Sequence, residues 1–370
     1  MRSVMGVCAA GLATLAAAVG TTSLAARGDW SDVAMTVEAR SSSLESYMGR
    51  DALVLHNGTA WLDGISLRDG VIEFDLAAPA ALGFYGLAFR AQDAANYEHI
   101  YVRPFQSGNP DATQYTPVFN GVSGWQIYSG PRYAQAATIA ADRWVHVRVA
   151  IQGRRAELSV DGHTVVFPRM ERTVAQGGLG LTASGAPGRF ADLVVRPQAA
   201  PAMEGGAGAE TDPIPEGAVP RWRVSTPFPE ARLSLPRPLD PAAWDDLEWA
   251  TLDTGVGGIA NLARLRGHTP ERNTVFAAMT LTADSAGPVR ARFGFSDRVV
   301  VYLNGRPLYR GDDGWRSRDY RFLGTVGLFD EVILPLRAGD NELSLAVSES
   351  FGGWGVIAAL PQAEGVAVSP

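Results

Sequence analysis

Hydrophobic and polar positions alternate with a period of two in several stretches of the first half of the chain. Examples are "GVIEFDLAAP", "GFYGLAFRAQ", "HIYVRPF", "WVHVRVAIQG" and "RAELSVDGHTVVF". A two-residue period predicts strands with one face buried, and turn residues separate these runs at sandwich-like spacing. Asp161-Gly162, between "AELSV" and "HTVVF", predicts a tight hairpin. The pattern returns after about residue 221 in "VRARFGFSDRVVVYLNGRPLYRG", "EVILPLRAGDNELSLAV" and "WGVIAAL", with Asn304-Gly305 as a second two-residue turn. A short helix is expected at "PAAWDDLEW", with Asp240 as N-cap and Pro241 in the first turn. The chain carries no long amphipathic helical pattern and no solenoid repeat. Between the two strand-rich blocks lies "QAAPAMEGGAGAETDPIPEGAVP", rich in Pro, Gly, Ala and acid, which predicts a flexible linker. The expected architecture is all-β. Two β-sandwich (jelly-roll) domains, residues 30–197 and 221–361, are joined by a linker over 198–220.

Composition narrows the function. The 370 residues are 46% hydrophobic and 19% charged, enough to bury real cores. A net charge of −7 and a pI of about 5.3 argue against nucleic acid as a partner, which needs a positive footprint. All 32 basic side chains of the Lys and Arg class are arginines, which removes Schiff-base and lysine general-base chemistry. The opening "MRSVMGVCAAGLATLAAAVGTTSLAAR" has the layout of a secretory leader with a small-residue cleavage site near Ala25. Residues 1–25 are therefore expected to be removed, leaving an exported protein, periplasmic or extracellular, with no membrane span. Cys8 is the single cysteine, so the mature chain would have no disulfide and no thiolate nucleophile or metal site.

Candidate chemistry concentrates in residues 97 to 128, where Tyr97, Tyr101, Tyr115, Trp125 and Tyr128 are interleaved with Glu98, Arg103, Gln114, Asn120 and Gln126. Flat aromatic faces beside forked polar side chains suit the C–H surfaces and paired hydroxyls of a sugar. Alternation places Tyr97, His99, Tyr101 and Arg103 on one face of a strand and Glu98 on the other. The segment "SGNPDATQYTPVFNG" is expected as a long ordered loop, and "GWQIY", if it is a strand, places Trp125 and Ile127 opposite Gln126 and Tyr128. The candidate ligand-binding set is Arg90, Glu98, Tyr101, Arg103, Gln114, Tyr115, Asn120, Trp125, Gln126 and Tyr128. The alternative assignment is an ion-pair network of Arg90, Glu98 and Arg103 with the aromatics filling the core. The five histidines lack metal-binding spacing, and no G-x-S-x-G elbow or nucleotide-binding glycine pattern occurs.

The run "DGVIEFDLAAP … GFYGLAFRAQDAANYEHIYVRPF … WVHVRVAIQGRRAELSVDG" resembles a concanavalin A-like (laminin G-like) jelly roll. The second block, through "RFGFSDRVVVYLNGRPLYRG" and "LPLRAGDNELSLAVSESFGGWG", resembles a galactose-binding-like β-sandwich attached to secreted glycosidases and esterases. The resemblance implies a carbohydrate partner held on a concave face of the first sandwich. It also implies the alternative of a glycan-degrading enzyme, of glycoside hydrolase or 3-keto-disaccharide hydrolase type, with its site on the same face. "IEFDLAA" resembles part of the family 16 glycoside hydrolase signature E-x-D-x-x-E. Glu73 and Asp75 match it, but Ala78 stands in place of the third carboxylate, and retaining hydrolysis needs two carboxyl groups in divided roles. No catalytic or metal-binding residue is therefore assigned and no cofactor is expected. The resemblance leaves room for a structural calcium, to which Asp93 and Asn96, or Asp312 and Asp313, could contribute ligands.

Overall fold

The computed structural model describes residues 24–26, 30–208, 212–233, 237–318, 323–361 and 363–370; their regular structure is strand, broken by short 3-10 helices. The first block forms one antiparallel sheet of 14 strands. Along its main path the order is His163–Phe167, Arg155–Val160, Trp144–Gln152, Gly70–Ala77, Gly188–Pro197, Arg50–Leu62, Gly178–Gly185, Gly83–Asp93, Asn96–Val102, Thr113–Phe119 and Val122–Ser123.

The Arg50–Leu62 strand turns this sheet into two layers. Met35–Tyr47 pairs along one of its edges. On the other edge Leu53–Leu55 pair with the Gly188–Pro197 strand, whereas Gly58–Trp61 pair with the Gly178–Gly185 strand. Between the two halves Asn57 adopts φ 49°, a left-handed conformation asparagine tolerates, and its Oδ1 accepts from Gly185 N at 2.8 Å. Alternation then decides what faces inward. Ile72, Phe74 and Leu76 in one layer, with Val145, Val147 and Val149, meet Leu87, Phe89, Ile100 and Leu181 of the other. Each such large apolar side chain contributes roughly 1.5–3 kcal/mol by its burial.

The second block is a sandwich of a seven-stranded and a four-stranded sheet. Trp222, Met279, Phe295, Leu345 and Trp354 lie in the core between them. On the outer side of the larger sheet Phe228 and Leu247 cover Phe276 and Tyr302. Both expected hairpins are present as left-handed pairs, Asp161 (φ 47°) with Gly162 (φ 83°) and Asn304 (φ 51°) with Gly305 (φ 75°). The expected helix is a single 3-10 turn, Pro241–Trp244, capped by the Asp240 side chain accepting from Ala242 N at 3.1 Å.

Several expectations change. The segment expected as a long loop contains a strand, Thr113–Phe119, in which Pro117 pairs with Glu98. Proline argues against a strand in a sequence because it cannot donate to the ladder. "GWQIY" is a turn, with Ile127 N and Tyr128 N both donating to Gly124 O at 2.9 Å. Ala202, Glu204, Gly205 and Asp212 of the 198–220 segment are hydrogen-bonded to the first block. The buried Glu157 carboxylate accepts from Glu204 N at 2.7 Å and Gly205 N at 3.0 Å, and Arg148 donates to Ala202 O at 2.9 Å. Farther on, Asp212 accepts from Arg132 at 2.6 Å. The expected leader lies outside the described residues except for Leu24 and Ala25, which with Ala26 pair against Leu193–Val195.

The two sandwiches also share a seam. Val122 packs in the second core, while Val326 and Ile357 pack in the first. Gln126 joins them through three bonds. Its N donates to Gly352 O (2.9 Å), its O accepts from Val326 N (3.0 Å), and its Nε2 donates to Leu323 O (3.0 Å).

Candidate functional site

The Asn96–Val102 strand sends Glu98, Ile100 and Val102 into the core, so Tyr97, His99 and Tyr101 stand on the outer face of the sheet. Their rings form a chain, Tyr97 to His99 at 5.7 Å between centroids and His99 to Tyr101 at 4.9 Å. Neighbouring strands lengthen it at both ends. Trp61 meets Tyr97 edge-on at 5.7 Å; Phe84 meets Tyr101 at 5.6 Å and Phe105 at 5.8 Å. The result is a row of six rings, of which all but Tyr101 are half-buried.

Small residues in the intervening strands make this row. Tyr101 is paired with Gly86 and His99 with Ala88, and these in turn pair with Thr182 and Gly180. Over Gly86 the His99 ring reaches Thr182 Oγ1, 2.9 Å from Nε2. A Cβ on Gly180 would lie 2.7 Å from Trp61 Cε3, so glycine there is what lets the indole rest on the sheet. Burial among these rings pushes the His99 imidazole down to about 4, leaving it neutral at ordinary pH.

Arg103 finishes one end. Its Nη1 donates to Asp111 Oδ2 at 2.9 Å and its Nη2 to Gln114 Oε1 at 3.0 Å, with the guanidinium over the Tyr101 and Phe84 rings at 5.3 and 5.6 Å. At the other end Trp61 Nε1 donates to Glu38 at 3.2 Å. The face thus combines apolar ring surface with threonine hydroxyl, imidazole and guanidinium groups in fixed positions, the buried Gln114 amide serving to hold Arg103.

The ten residues singled out in the sequence do not assemble into one platform. Tyr101, Arg103 and Gln114 converge on the outer face. Arg90, Glu98 and Tyr115 lie inside the first sandwich. Glu98 is fully buried, accepts from Tyr115 Oη at 2.8 Å and Arg172 N at 3.1 Å, and is pushed up to about 7 by its burial, against the pull of those bonds and of Arg172. Arg90, placed in the candidate set with these residues, has φ 50° at a bulge and its side chain turns inward. Asn120, Trp125, Gln126 and Tyr128 belong to the seam. Asn120 donates to Ala263 O at 2.8 Å, Tyr128 Oη accepts from Asn261 at 3.2 Å, and Trp125 packs edge-on to Phe351 at 5.9 Å. Of the ion-pair alternative, Tyr115 and Tyr128 do fill the core and Arg90 interacts electrostatically with Glu98, but Arg90 pairs directly with Asp69, and Arg103 pairs with Asp111 on the other face.

Trp61, Phe84 and Phe105 were not singled out. The available signal was the small-residue pattern of "GFYGLAF", which puts Phe84 beside Gly86 and Ala88 on one face. The Glu73 and Asp75 side chains do share a face, as alternation requires, but each is engaged. Asp75 bonds Arg50 and, at 2.7 Å, His146 Nδ1, while Glu73 pairs with Arg196. Of the calcium candidates, Asp93 accepts from Ala95 N at 2.8 Å and from Asn96, and Asp312 accepts from Gly314 N at 2.9 Å. Arg318 lies 3.2 Å from Asp313.

No family model matches the chain, and no curated protein matches it. Among solved structures it is similar to carbohydrate binding module CBM66 from Bacillus subtilis, at 15% identity and TM-score 0.34 over 46% of this chain and 96% of that one. It is similar to the Bacillus licheniformis beta-glucanase at 11% identity and TM-score 0.32, over 48% of this chain and 98% of that one. A family 35 carbohydrate binding module from an environmental isolate matches at 21% identity and TM-score 0.21, over 26% of this chain and 70% of that one. At these scores the similarities carry no argument about what the chain binds.

Proposed function

We propose that the chain is an exported carbohydrate-binding protein that holds a glycan against the outer face of its first sandwich. The observation that carries this is the six-ring row from Trp61 to Phe105, laid across a sheet whose neighbouring positions are Gly86, Ala88 and Gly180. Half-buried rings that keep one surface open offer stacking area to sugar C–H groups at little entropic cost. Thr182 and Arg103 supply polar groups that orient hydroxyls, with Gln114 holding Arg103 in place. Binding rather than hydrolysis is favoured because the carboxylates at the two ends, Glu38 and Asp111, are already bonded to Trp61 and Arg103.

The test is a glycan array probed with the purified protein and with a Trp61→Ala variant. A set of glycans bound by the parent and lost by the variant, with melting temperature little changed, is the expected result. An array with no hits, or hits untouched by Trp61→Ala, would remove the outer face from consideration.

A further inference from the structure

A cavity opens where the Gly83–Asp93 strand bulges at Arg90. Its volume is about 140 Å³, and its lining includes Arg68, Arg90, Arg154, Arg172, Asp69 and Thr173. Four arginines and one carboxylate thus line it. A water molecule takes about 30 Å³ of liquid, so the space suits a group the size of a small oxyanion.

Arg68, Arg90 and Arg154 each keep donors that no described residue takes up. Arg90 is 2% exposed; its Nε and Nη2 donate to Arg68 O, Asp69 Oδ1 and Gly153 O, but its Nη1 donates to none of the described residues. Asp69 Oδ1 is shared with Gly153 N at 2.9 Å. Arg172, 7% exposed, is held by the protein, its Nη1 donating to Val118 O at 2.7 Å and its Nη2 to Gln92 Oε1, while its buried Nε has no partner among the described residues. Arg154 spends Nε and Nη2 on Met170 O and keeps Nη1, and the exposed Arg68 guanidinium has no partner among the described residues. A buried cation costs folding free energy unless it is matched by charge and hydrogen bonds. Glu98 sits behind Arg90 and Arg172, but burial keeps its carboxyl protonated up to about pH 7, so it compensates them poorly.

We propose that this cavity binds a small oxyanion group, either a free sulfate or phosphate or the carboxylate of an acidic sugar. Arg90 forms the floor, and Arg68 and Arg154 close over the anion from the rim. The site is separate from the outer aromatic face and does not depend on it.

Calorimetric titration in chloride buffer at fixed ionic strength tests this, with sodium sulfate and sodium glucuronate as probes. The parent is expected to bind at least one saturably, and an Arg68→Ser, Arg154→Ser double variant to bind it at least about tenfold more weakly, as loss of charged hydrogen bonds implies. Both side chains are exposed and the double variant gives up only the Arg154 bonds to Met170 O, whereas Arg90→Gln removes bonds to three residues and is the harsher second variant. Saturation by sulfate alone assigns a free ion, and saturation by glucuronate alone assigns an acidic sugar. No saturable binding of either probe, or equal binding by parent and double variant, would overturn the proposal.

Discussion

Glu98 illustrates how a carboxylic acid is kept inside a sandwich. It has no exposed surface, and the Tyr115 hydroxyl and the Arg172 amide satisfy its oxygens. Burial raises its pKa from 4.5 to about 7 in the folded chain, so between those values the folded protein holds a proton that the unfolded chain has released. Stability from this group is therefore fully present below about pH 4.5 and falls as pH rises, the loss being complete above about 7. Glu349, raised to about 8, acts with the same sign. His99 opposes them, since its depressed pKa makes stability rise between about pH 4 and 6.5. The Glu98 contribution is isolated by comparison with Glu98→Gln. Denaturant titrations from pH 5 to 8 should show the parent losing up to about 3 kcal/mol relative to the variant. A constant difference across that range would show that Glu98 titrates normally. The buried tyrosine–carboxylate pair was visible in the sequence only as two polar residues in an aromatic run; their burial depends on which strand covers them.

Among the elements, the Gly124–Tyr128 turn has the most exacting surroundings. A Cβ on Gly352 would lie 2.4 Å from Gln126 Cδ, and Gly352 holds φ 110°, a conformation that favours glycine. Gly352→Ala should therefore push Gln126 out of its slot and destabilise the protein by more than about 2 kcal/mol, within the range of severe backbone and packing lesions. An unchanged melting temperature would mean the turn has slack that its contacts do not suggest. How much of this organisation was legible follows the range of the interaction that sets it. Asp161-Gly162 and Asn304-Gly305 fix their hairpins by local backbone chemistry, and both were read correctly. The inward face of "IEFDL" follows from alternation alone. The Thr113–Phe119 strand was hidden by Pro117, the inward turn of Arg90 by a bulge, and the row's extension to Trp61 by pairings far apart in sequence.

At the scale of the whole molecule, each sandwich lends apolar side chains to the core of the other, and the linker is hydrogen-bonded to the first. Residues 30–197 and 221–361 are thus proposed as two sandwiches that unfold together. Calorimetry of the intact chain should give one transition, and a fragment ending at residue 197 should melt lower and expose Val122, Ile127 and Tyr128. Two resolved transitions, with the fragment as stable as the parent, would show the seam to be weak. The seam also separates what the sequence could not, the aromatics that join sandwiches from those that face outward. The proposed sugar site on the outward row is probed by the affinity of Tyr97→Ala for the strongest glycan ligand, beside that of the seam variant Phe351→Ala. A loss of about tenfold or more for Tyr97→Ala, with Phe351→Ala near the parent, is the predicted result, matching the loss of one stacking contact. Unchanged affinity in Tyr97→Ala, with the loss appearing in Phe351→Ala instead, would contradict the account and move the binding surface to the seam.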